Sequence, residues 1–192
     1  GNTVTGYSEN GKKKFKVNKE LIIPKTTPSG DKVTAIGNRA FEVVDGVILS
    51  TDTLESPEGL TSVIIPETVT SIGDMAFKYN SLKYINFPKD LNHIGTLAFN
   101  GNQLQEILIP DSVKSMGTGV FSLNPIKKAK LSKSMDKVPD GIFSRNIQLT
   151  NIEIPEGVKI IGQSAFVGAP LTEINLPSTV TDIEKKAFSA QR

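Results

Sequence analysis

The sequence contains no cysteine and no tryptophan, and it has few aromatic residues of any kind. The absence of cysteine excludes disulfide bridges, thiolate metal sites and thiol nucleophiles. Only nine Phe and three Tyr occur among 192 residues, so the core must be built mostly from aliphatic side chains. A chain of this length is sufficient for one domain with a sizeable core.

An excess of one charge and long apolar runs are also missing. The chain has 22 Lys and Arg against 20 Asp and Glu, a net charge of +2. No strong field therefore points to nucleic acid as a partner. No apolar run approaches the ~20 residues of a membrane-spanning helix, so no insertion into a membrane is expected. No apolar leader of a signal peptide is visible at the N-terminus.

The sequence does contain an internal repeat with a period of 22 or 23 residues. Its unit reads L-x-x-Φ-x-Φ-P-x-x-Φ-x-x-Φ-G-x-x-A-F-x-x-N, where Φ is apolar. The phenylalanine of the unit recurs in six consecutive copies, at Phe77, Phe99, Phe121, Phe143, Phe166 and Phe188, and Ala precedes it in four of them. A pattern that returns so often is typical of a structural unit, since a catalytic motif is needed once.

The columns of the repeat predict the fold. The alternation in L-x-x-Φ-x-Φ predicts a strand with one buried face, which Pro ends because it has no N–H to donate. Gly is expected to make a tight turn, and the x-x-A-F segment is too short for more than about one helical turn. We therefore predict an α/β repeat solenoid of the leucine-rich-repeat kind. Its right-handed coil has a parallel sheet on one face, with short strands, turns and short helical turns on the other.

The Asn three residues after the Phe forms a column of its own, at Asn80, Asn102, Asn124 and Asn146. An inward Asn side chain can bond backbone groups that a turn leaves unpaired, so we interpret the column as a structural ladder. A ladder that holds glycans or metal ions is the alternative.

The pattern divides the chain into three parts within one domain. Residues 1–41 form an N-terminal cap and first unit, with a hairpin signal around Glu9-Asn10-Gly11. Residues 42–59 are an insertion with a second hairpin signal at Asp45-Gly46, either a recognition loop or a tolerated insert. Residues 60–192 are six repeats, and the missing C-terminal cap predicts a stack that continues beyond Arg192.

No catalytic constellation is found. His93 is the only histidine, and it stands in a variable polar column of the repeat, so we interpret it as a surface residue. Carboxylates are scattered, and no metal-ligand or cofactor motif is present. We expect a protein without catalytic activity, cofactor or metal.

The stretches "LTSVIIPETVTSIGDMAF" and "LTEINLPSTVTDIEKKAF" resemble the BspA-like family of bacterial leucine-rich repeats. The resemblance covers nearly all the chain and departs from the family in lacking the frequent Gly-Cys after the Phe. It implies a secreted or wall-attached bacterial surface protein that contacts host or neighbouring cells. A monomer that binds a protein or glycan by adhesion is then expected. A rigid spacer or ancillary domain of a larger secreted protein or enzyme is the alternative.

Two candidate binding surfaces follow from the columns. The outward strand positions predict a partner-binding face that contains Ile64, Tyr84, Glu106, Leu108, Lys128 and Lys130. The unit from Ile126 to Gln148 has a net charge of +4 and lacks the consensus Pro and Gly. It predicts either a drifted repeat or a patch for an anionic partner, with Lys127, Lys133, Lys137 and Arg145 added to the two lysines above.

Overall fold

The computed structural model describes residues 2–7, 19–44, 48–49, 54–55 and 59–189. The hairpin signal at Glu9-Asn10-Gly11 and the pair Asp45-Gly46 lie outside these residues. The described residues form short strands joined by turns. In chain order the strands are β1 (Thr3–Val4), β2 (Glu20–Ile22), β3 (Ala35–Ile36), β4 (Ile48–Leu49), β5 (Leu54–Glu55), β6 (Ser62–Ile64), β7 (Ser71–Ile72), β8 (His93–Ile94), β9 (Glu106–Leu108), β10 (Ser115–Met116), β11 (Lys128–Lys130), β12 (Lys137–Val138), β13 (Asn151–Glu153), β14 (Ile160–Ile161), β15 (Glu173–Asn175) and β16 (Asp182–Ile183).

The coil carries two rows of parallel strands. The front row comes from L-x-x-Φ-x-Φ and consists of a β2-β6 pair and a four-stranded sheet in the order β9-β11-β13-β15. The back row comes from the Φ-G position and consists of β1-β3-β7-β8-β10 and β12-β14-β16. Within each of these sheets a strand pairs in parallel with its equivalent in the adjacent coil, as in Lys128 opposite Glu106 and Ser115 opposite His93. The predicted solenoid of stacked parallel strands is therefore confirmed.

The predicted helical turns are not present, because no described residue is helical. None of the described residues accordingly forms a helix long and apolar enough to cross a membrane. The x-x-A-F segment is instead a turn with one residue at positive φ, two places before the Phe. Met75 and Leu97 both have φ of 55° there, and Gly119 has 63° in the same column. This left-handed residue reverses the chain, and reversal after three residues leaves no room for a helix.

The predicted role of the consensus Gly is also corrected. Gly73, Gly95 and Gly117 are absent from the residues with positive φ, so they are not the tight turn. A Cβ on Gly95 would lie 2.4 Å from the backbone nitrogen of Asp74 in the preceding coil. One on Gly117 would lie equally close to that of Thr96. The column is Gly because successive coils touch there through their backbones.

The core follows the Phe column along the axis of the coil. The rings of Phe41, Phe77 and Phe99 stack nearly parallel, with centroids 5.4 Å apart in each pair. The stack continues with little tilt through four more rings, Phe121, Phe143, Phe166 and Phe188. The Leu, Ile, Val and Ala columns surround it and are buried in most coils. One repeat cannot bury its apolar face alone, so this continuous core is what makes the stack stable.

The Asn column is a buried structural ladder, as predicted. Asn80, Asn102, Asn124 and Asn146 are all buried. The side-chain oxygen of Asn80 accepts a hydrogen bond from the Leu60 amide at 2.8 Å. Its Nδ2 donates to the carbonyl of Phe41, also at 2.8 Å. The amide side chain therefore satisfies backbone groups that the turn leaves without a ladder partner.

The insertion contains an antiparallel strand pair, which places Ile48 opposite Glu55 and Leu49 opposite Leu54. Two segments of residues 42–59 therefore pair as antiparallel strands. The turn predicted at Asp45-Gly46 lies outside the described residues and stays a prediction.

Candidate functional site

The front row is interrupted at the segment Tyr84–Asn86, where the repeat predicts a strand. This segment is not a strand, and the sheet order stops at β6 and resumes at β9. Within residues 59–189, which the structure describes without a gap, Tyr84–Phe87 make no backbone hydrogen bond to either neighbour. The strand predicted from the repeat is therefore absent from this coil of the front row.

The break coincides with a residue that is too large for its column. Phe87 stands where Ile65 and Ile109 stand in the adjacent coils, and those two side chains are buried. The Phe87 ring lies edge-on to Phe99 and Phe121, with centroid distances of 5.5 and 6.2 Å. It is only half-buried, as is Ile85 beside it. An oversized side chain in a packed core displaces the backbone that carries it, which accounts for the lost ladder.

A groove of about 250 Å³ opens beside the displaced segment. Its walls are Tyr84, Ile85, Asn86 and Phe87 on one side and Glu106 and Leu108 of β9 on the other. Three residues that the sequence analysis named for a partner-binding face, Tyr84, Glu106 and Leu108, therefore line one groove. Ile85 and Phe87 were missed, although a Phe in a column of Ile was a visible signal, whereas Asn86 stands in an outward column of the repeat.

An exposed apolar strip runs across this part of the front row. The exposed fractions are 71% for Ile22, 60% for Ile64, 73% for Tyr84 and 54% for Leu108. Ile22 lies directly opposite Ile64 in the register of β2 and β6. Groups of exposed apolar side chains on neighbouring coils can mark interaction surfaces. Whether these residues bind a partner stays a prediction.

The charged residues of the candidate face lie on the C-terminal side of the groove. Lys128 forms an ion pair with Glu106 at 3.1 Å, so the charge of Glu106 is compensated at the groove wall. Lys130 is exposed and lies between Leu108 and Glu153 in the strand register. The groove is thus close to neutral. The nearest lysine of the candidate face outside this ion pair is Lys130, on the adjacent strand β11.

The cations of the proposed anionic-partner patch lie on different sides of the coil. Lys127 immediately precedes the front strand β11, and Lys133 follows it at the corner. Lys137 begins the back strand β12. Arg145 has φ of 58° in the turn between the rows. The structure therefore does not gather these four residues on a single face, and whether any of them binds an anionic partner stays a prediction.

The back row has its own interruption, between β10 and β12. Here Pro139 replaces the consensus Gly. The Gly117 amide donates to Ile94 and the Gly162 amide donates to Val138, but Pro139 has no amide hydrogen to give Met116. Its ring also occupies the position at which most other coils have Gly, because a Cβ there would clash with the backbone of the preceding coil. A groove of about 320 Å³ opens at this point.

Lys137 closes one side of this second groove through two carboxylates. Its Nζ lies 2.9 Å from Asp140 and 3.1 Å from Glu184. The hydrogen bond to Asp140 is the main reason that the pKa of Lys137 is raised. Burial alone would raise the pKa of Asp140, but the hydrogen bond and charge of Lys137 hold it below its ordinary value. Lys137 is therefore already neutralised locally and is poorly placed to attract an anion.

His93 makes one contact of chemical interest. Its Nδ1 lies 2.8 Å from the Ser115 hydroxyl in the next coil, and both side chains are exposed. A serine nucleophile needs a third group that orients the imidazole. No carboxylate in the described part of the chain hydrogen-bonds this ring. Nor do the described residues contain a cluster of three or more His, Cys, Asp and Glu side chains fit for a metal ion.

Comparison with known proteins identifies the repeat. The family model of the BspA type leucine-rich repeat region matches this chain over residues 47–144 and 70–192, in six copies. These ranges cover most of the chain, including every repeat after the insertion. None of the curated protein sequences is significantly similar to it.

Several solved structures share the fold. A leucine-rich repeat protein from Bacteroides ovatus is 25% identical with a TM-score of 0.60, and the match covers 85% of this chain and 47% of that one. A leucine-rich repeat protein of T. pallidum is 22% identical with a TM-score of 0.62, over 80% and 77% of the two chains. One from Eubacterium ventriosum is 20% identical with a TM-score of 0.63, over 97% and 56%. The chain spans about half the length of the B. ovatus protein.

Proposed function

This chain belongs to the BspA type leucine-rich repeat family, and from that premise we propose that it is a non-catalytic interaction module of a bacterial cell-surface or secreted protein. It binds a partner protein at the surface of a host or neighbouring cell, through the front row. The observation that carries the proposal is the coincidence of the exposed apolar strip with the groove at the break in the front row.

A regular solenoid does not need large apolar side chains on its outer surface. The core requires the inward columns, but nothing in the stack requires large apolar side chains on the outside. Four outward positions of neighbouring coils nevertheless hold Ile22, Ile64, Tyr84 and Leu108. Aromatic anchors beside a pocket, with charged residues at the rim, are what protein interfaces enrich. Lys128 and Lys130 supply that rim here.

A direct test uses a variant of the front row and a matched variant of the back row. The front variant carries Tyr84→Ala, Leu108→Ala, Lys128→Glu and Lys130→Glu. The control carries Ile183→Ala, Lys159→Glu and Lys114→Glu, which are exposed on the back row or beside it. We expect the front variant to bind epithelial cells, mucin or extracellular matrix at least ~10-fold more weakly than the unaltered chain. Unchanged binding by the front variant would show that a different surface of the protein binds the partner.

Rigid spacing is the second candidate, and the unbroken stack of Phe rings from Phe41 to Phe188 favours it. A spacer holds another domain at a distance and needs no partner of its own. If the unaltered chain binds none of the three surfaces, and lengthening it by one repeat alters the reach of an attached domain, the spacer is the better description.

A further inference from the structure

We propose that the break in the front row is a site of β-strand addition, where an extended, uncharged segment of a partner polypeptide pairs with β9. This inference rests on the proposed function and specifies its binding mode. The added segment hydrogen-bonds with the backbone of Glu106 and Leu108 and packs apolar side chains against Tyr84 and Leu108.

The backbone of β9 is oriented so that alternate residues face β11 and the groove. The Gln105 carbonyl accepts a hydrogen bond from the Lys127 amide, and the Ile109 amide donates to Lys130. Residues 105 and 109 therefore face β11. Successive residues of a strand alternate the side to which their N–H and C=O point, so Glu106 and Leu108 face the other way. That direction is the groove beside Tyr84–Phe87.

The backbone groups of Glu106 and Leu108 lack the partner that the repeat normally supplies. β11 and β13 each pair with a strand on both sides, whereas β9 pairs only with β11. In the part of the chain from 59 to 189, no ladder hydrogen bond joins β9 to the preceding coil. An open strand edge is a template for another strand, and such edges are usually blunted by charge, Pro or covering loops. Here the open edge of β9 faces the gap between the two sheets of the front row, and apolar side chains lie beside it.

The size and charge of the groove select its occupant. The groove of about 250 Å³ is smaller than the ~300–1,000 Å³ of most small-molecule sites. Its one charged wall residue, Glu106, is compensated by Lys128. An anionic glycan would gain little from this neutral groove. An added β-strand suits this groove, because main-chain hydrogen bonds give the affinity and small pockets beside the strand accept alternate side chains.

The back row supplies the matched control. Its break arises at Pro139 and also opens a groove, but Lys137, Asp140 and Asp136 line that groove. Restoring the consensus at each break, by Phe87→Ile in the front row or Pro139→Gly in the back row, is expected to close one groove and leave the other. The two variants differ only in which row is repaired.

The experiment titrates a fluorescein-labelled peptide with the sequence of residues 60–66, LTSVIIP, which is the strand of the neighbouring repeat. A second peptide is N-methylated at its Val, which removes a main-chain donor and keeps every side chain. We expect saturable binding to the unaltered chain and to Pro139→Gly. We expect binding at least ~10-fold weaker for the N-methylated peptide and for Phe87→Ile. Hydrogen exchange should show protection of the Glu106 and Leu108 amides when the peptide is bound.

A second variant guards against misfolding of Phe87→Ile. Leu108→Pro removes one amide at the groove, whereas the bonds of β9 to β11 come from residues 105, 107 and 109. It should lose the peptide while keeping its thermal transition. Strand addition is overturned by equal affinity of the two peptides, by equal binding to Phe87→Ile, or by no saturation at about 1 mM peptide. Displacement of the peptide by heparin hexasaccharide that persists in a variant with Lys127→Gln and Lys130→Gln would also overturn it, by assigning the groove to a glycan.

The two proposals fail separately. If the front variant loses binding to cells, mucin and matrix while Phe87→Ile and Leu108→Pro keep it, the front row binds a partner but not by strand addition. If the front variant keeps that binding, the proposed function itself is wrong.

Discussion

The side chain of Asn102 links two coils of the solenoid through Leu82. Its Oδ1 accepts a hydrogen bond from the Leu82 amide at 3.1 Å, and its Nδ2 donates to the carbonyl of Phe77 at 2.9 Å. Leu82 starts the repeat to which Asn102 belongs, whereas Phe77 belongs to the repeat before it. One buried amide side chain therefore fixes the corner of a coil and its distance from the preceding coil.

Replacing this residue should destabilise the protein strongly. In Asn102→Ala the Leu82 amide and the Phe77 carbonyl lose a partner in a buried corner, and each buried unsatisfied group costs about 1–3 kcal/mol. We expect the free energy of unfolding in urea to fall by ~2–4 kcal/mol. The control Asn92→Ala alters an exposed Asn one corner away and should change it by less than ~0.5 kcal/mol. Equal effects of the two variants would contradict the structural role of the column.

The sequence predicted well those features in which a residue contacts the equivalent residues of the adjacent coils. In a stacked repeat, the residue at a given position contacts its equivalents above and below, so a column of Phe or Asn predicts a Phe stack or an Asn ladder directly. Phe99 between Phe77 and Phe121 is one example. Asn124, which repeats the contacts of Asn102, is another.

The features that sequence missed depend on distances between coils. Phe87 and Pro139 are visible as departures from the consensus, but the lost ladders and the two grooves appear only when neighbouring backbones are placed. The role of Gly95 was missed for the same reason, because a turn residue and a point of close approach are both written as Gly. The candidate site was predicted through Tyr84 and Leu108, whereas the groove between them was not.

The close approach at Gly95 gives a second prediction. Its added Cβ would lie 2.4 Å from the Asp74 nitrogen, a backbone atom that cannot move aside easily. We expect Gly95→Ala to lower the free energy of unfolding by about 1–3 kcal/mol, the usual cost of overpacking. Gly37→Ala is the matched control, because its nearest atom is the Val4 carbonyl oxygen at 3.2 Å. It should cost clearly less. Urea denaturation of both variants checks this, and the reverse order would refute the argument.

The Lys137 ion pairs give a pH-dependent prediction. Asp140 has a lowered pKa, so its share of the stabilisation is present above its unfolded pKa and is lost as the pH falls through the folded value. Lys137 has a raised pKa, so its share is complete below its unfolded pKa and is lost as the pH rises through the folded value. The ion pairs should therefore stabilise the fold between about pH 5 and pH 10.

Thermal unfolding of Lys137→Met across this pH range tests whether the ion pairs of Lys137 stabilise the fold. The side chains are more than a third exposed, so we expect a loss of less than about 1 kcal/mol near pH 7. The loss should shrink towards pH 3. Lys159→Met removes an exposed lysine of the next coil and should show no such trend. A loss for Lys137→Met that persists at pH 3 would mean that packing, not charge, is responsible.

The contact between His93 and Ser115 predicts an absence of hydrolytic activity. The hydroxyl is 2.8 Å from Nδ1, but the pair lies exposed on the back row without a third orienting group among the described residues. We expect the chain to hydrolyse p-nitrophenyl acetate no faster than His93→Ala supplemented with equimolar free imidazole. A burst of nitrophenol that Ser115→Ala abolishes would reveal a serine nucleophile and reverse the assignment.

The separation of the cations around one coil predicts which of them an anionic polymer contacts. Lys127 and Lys130 lie at the front row, and neither belongs to an ion pair among the described residues. Lys137 is bound to Asp140 and Glu184, and Arg145 lies in the turn. Exposed charges act over a Debye length of about 8–10 Å, so a heparin chain on the front row gains little from the other two. Lys127→Gln with Lys130→Gln should lower the salt concentration that elutes the protein from heparin. Lys137→Gln with Arg145→Gln, which removes the same net charge, should lower it much less, whereas equal shifts would restore the single patch that the sequence suggested.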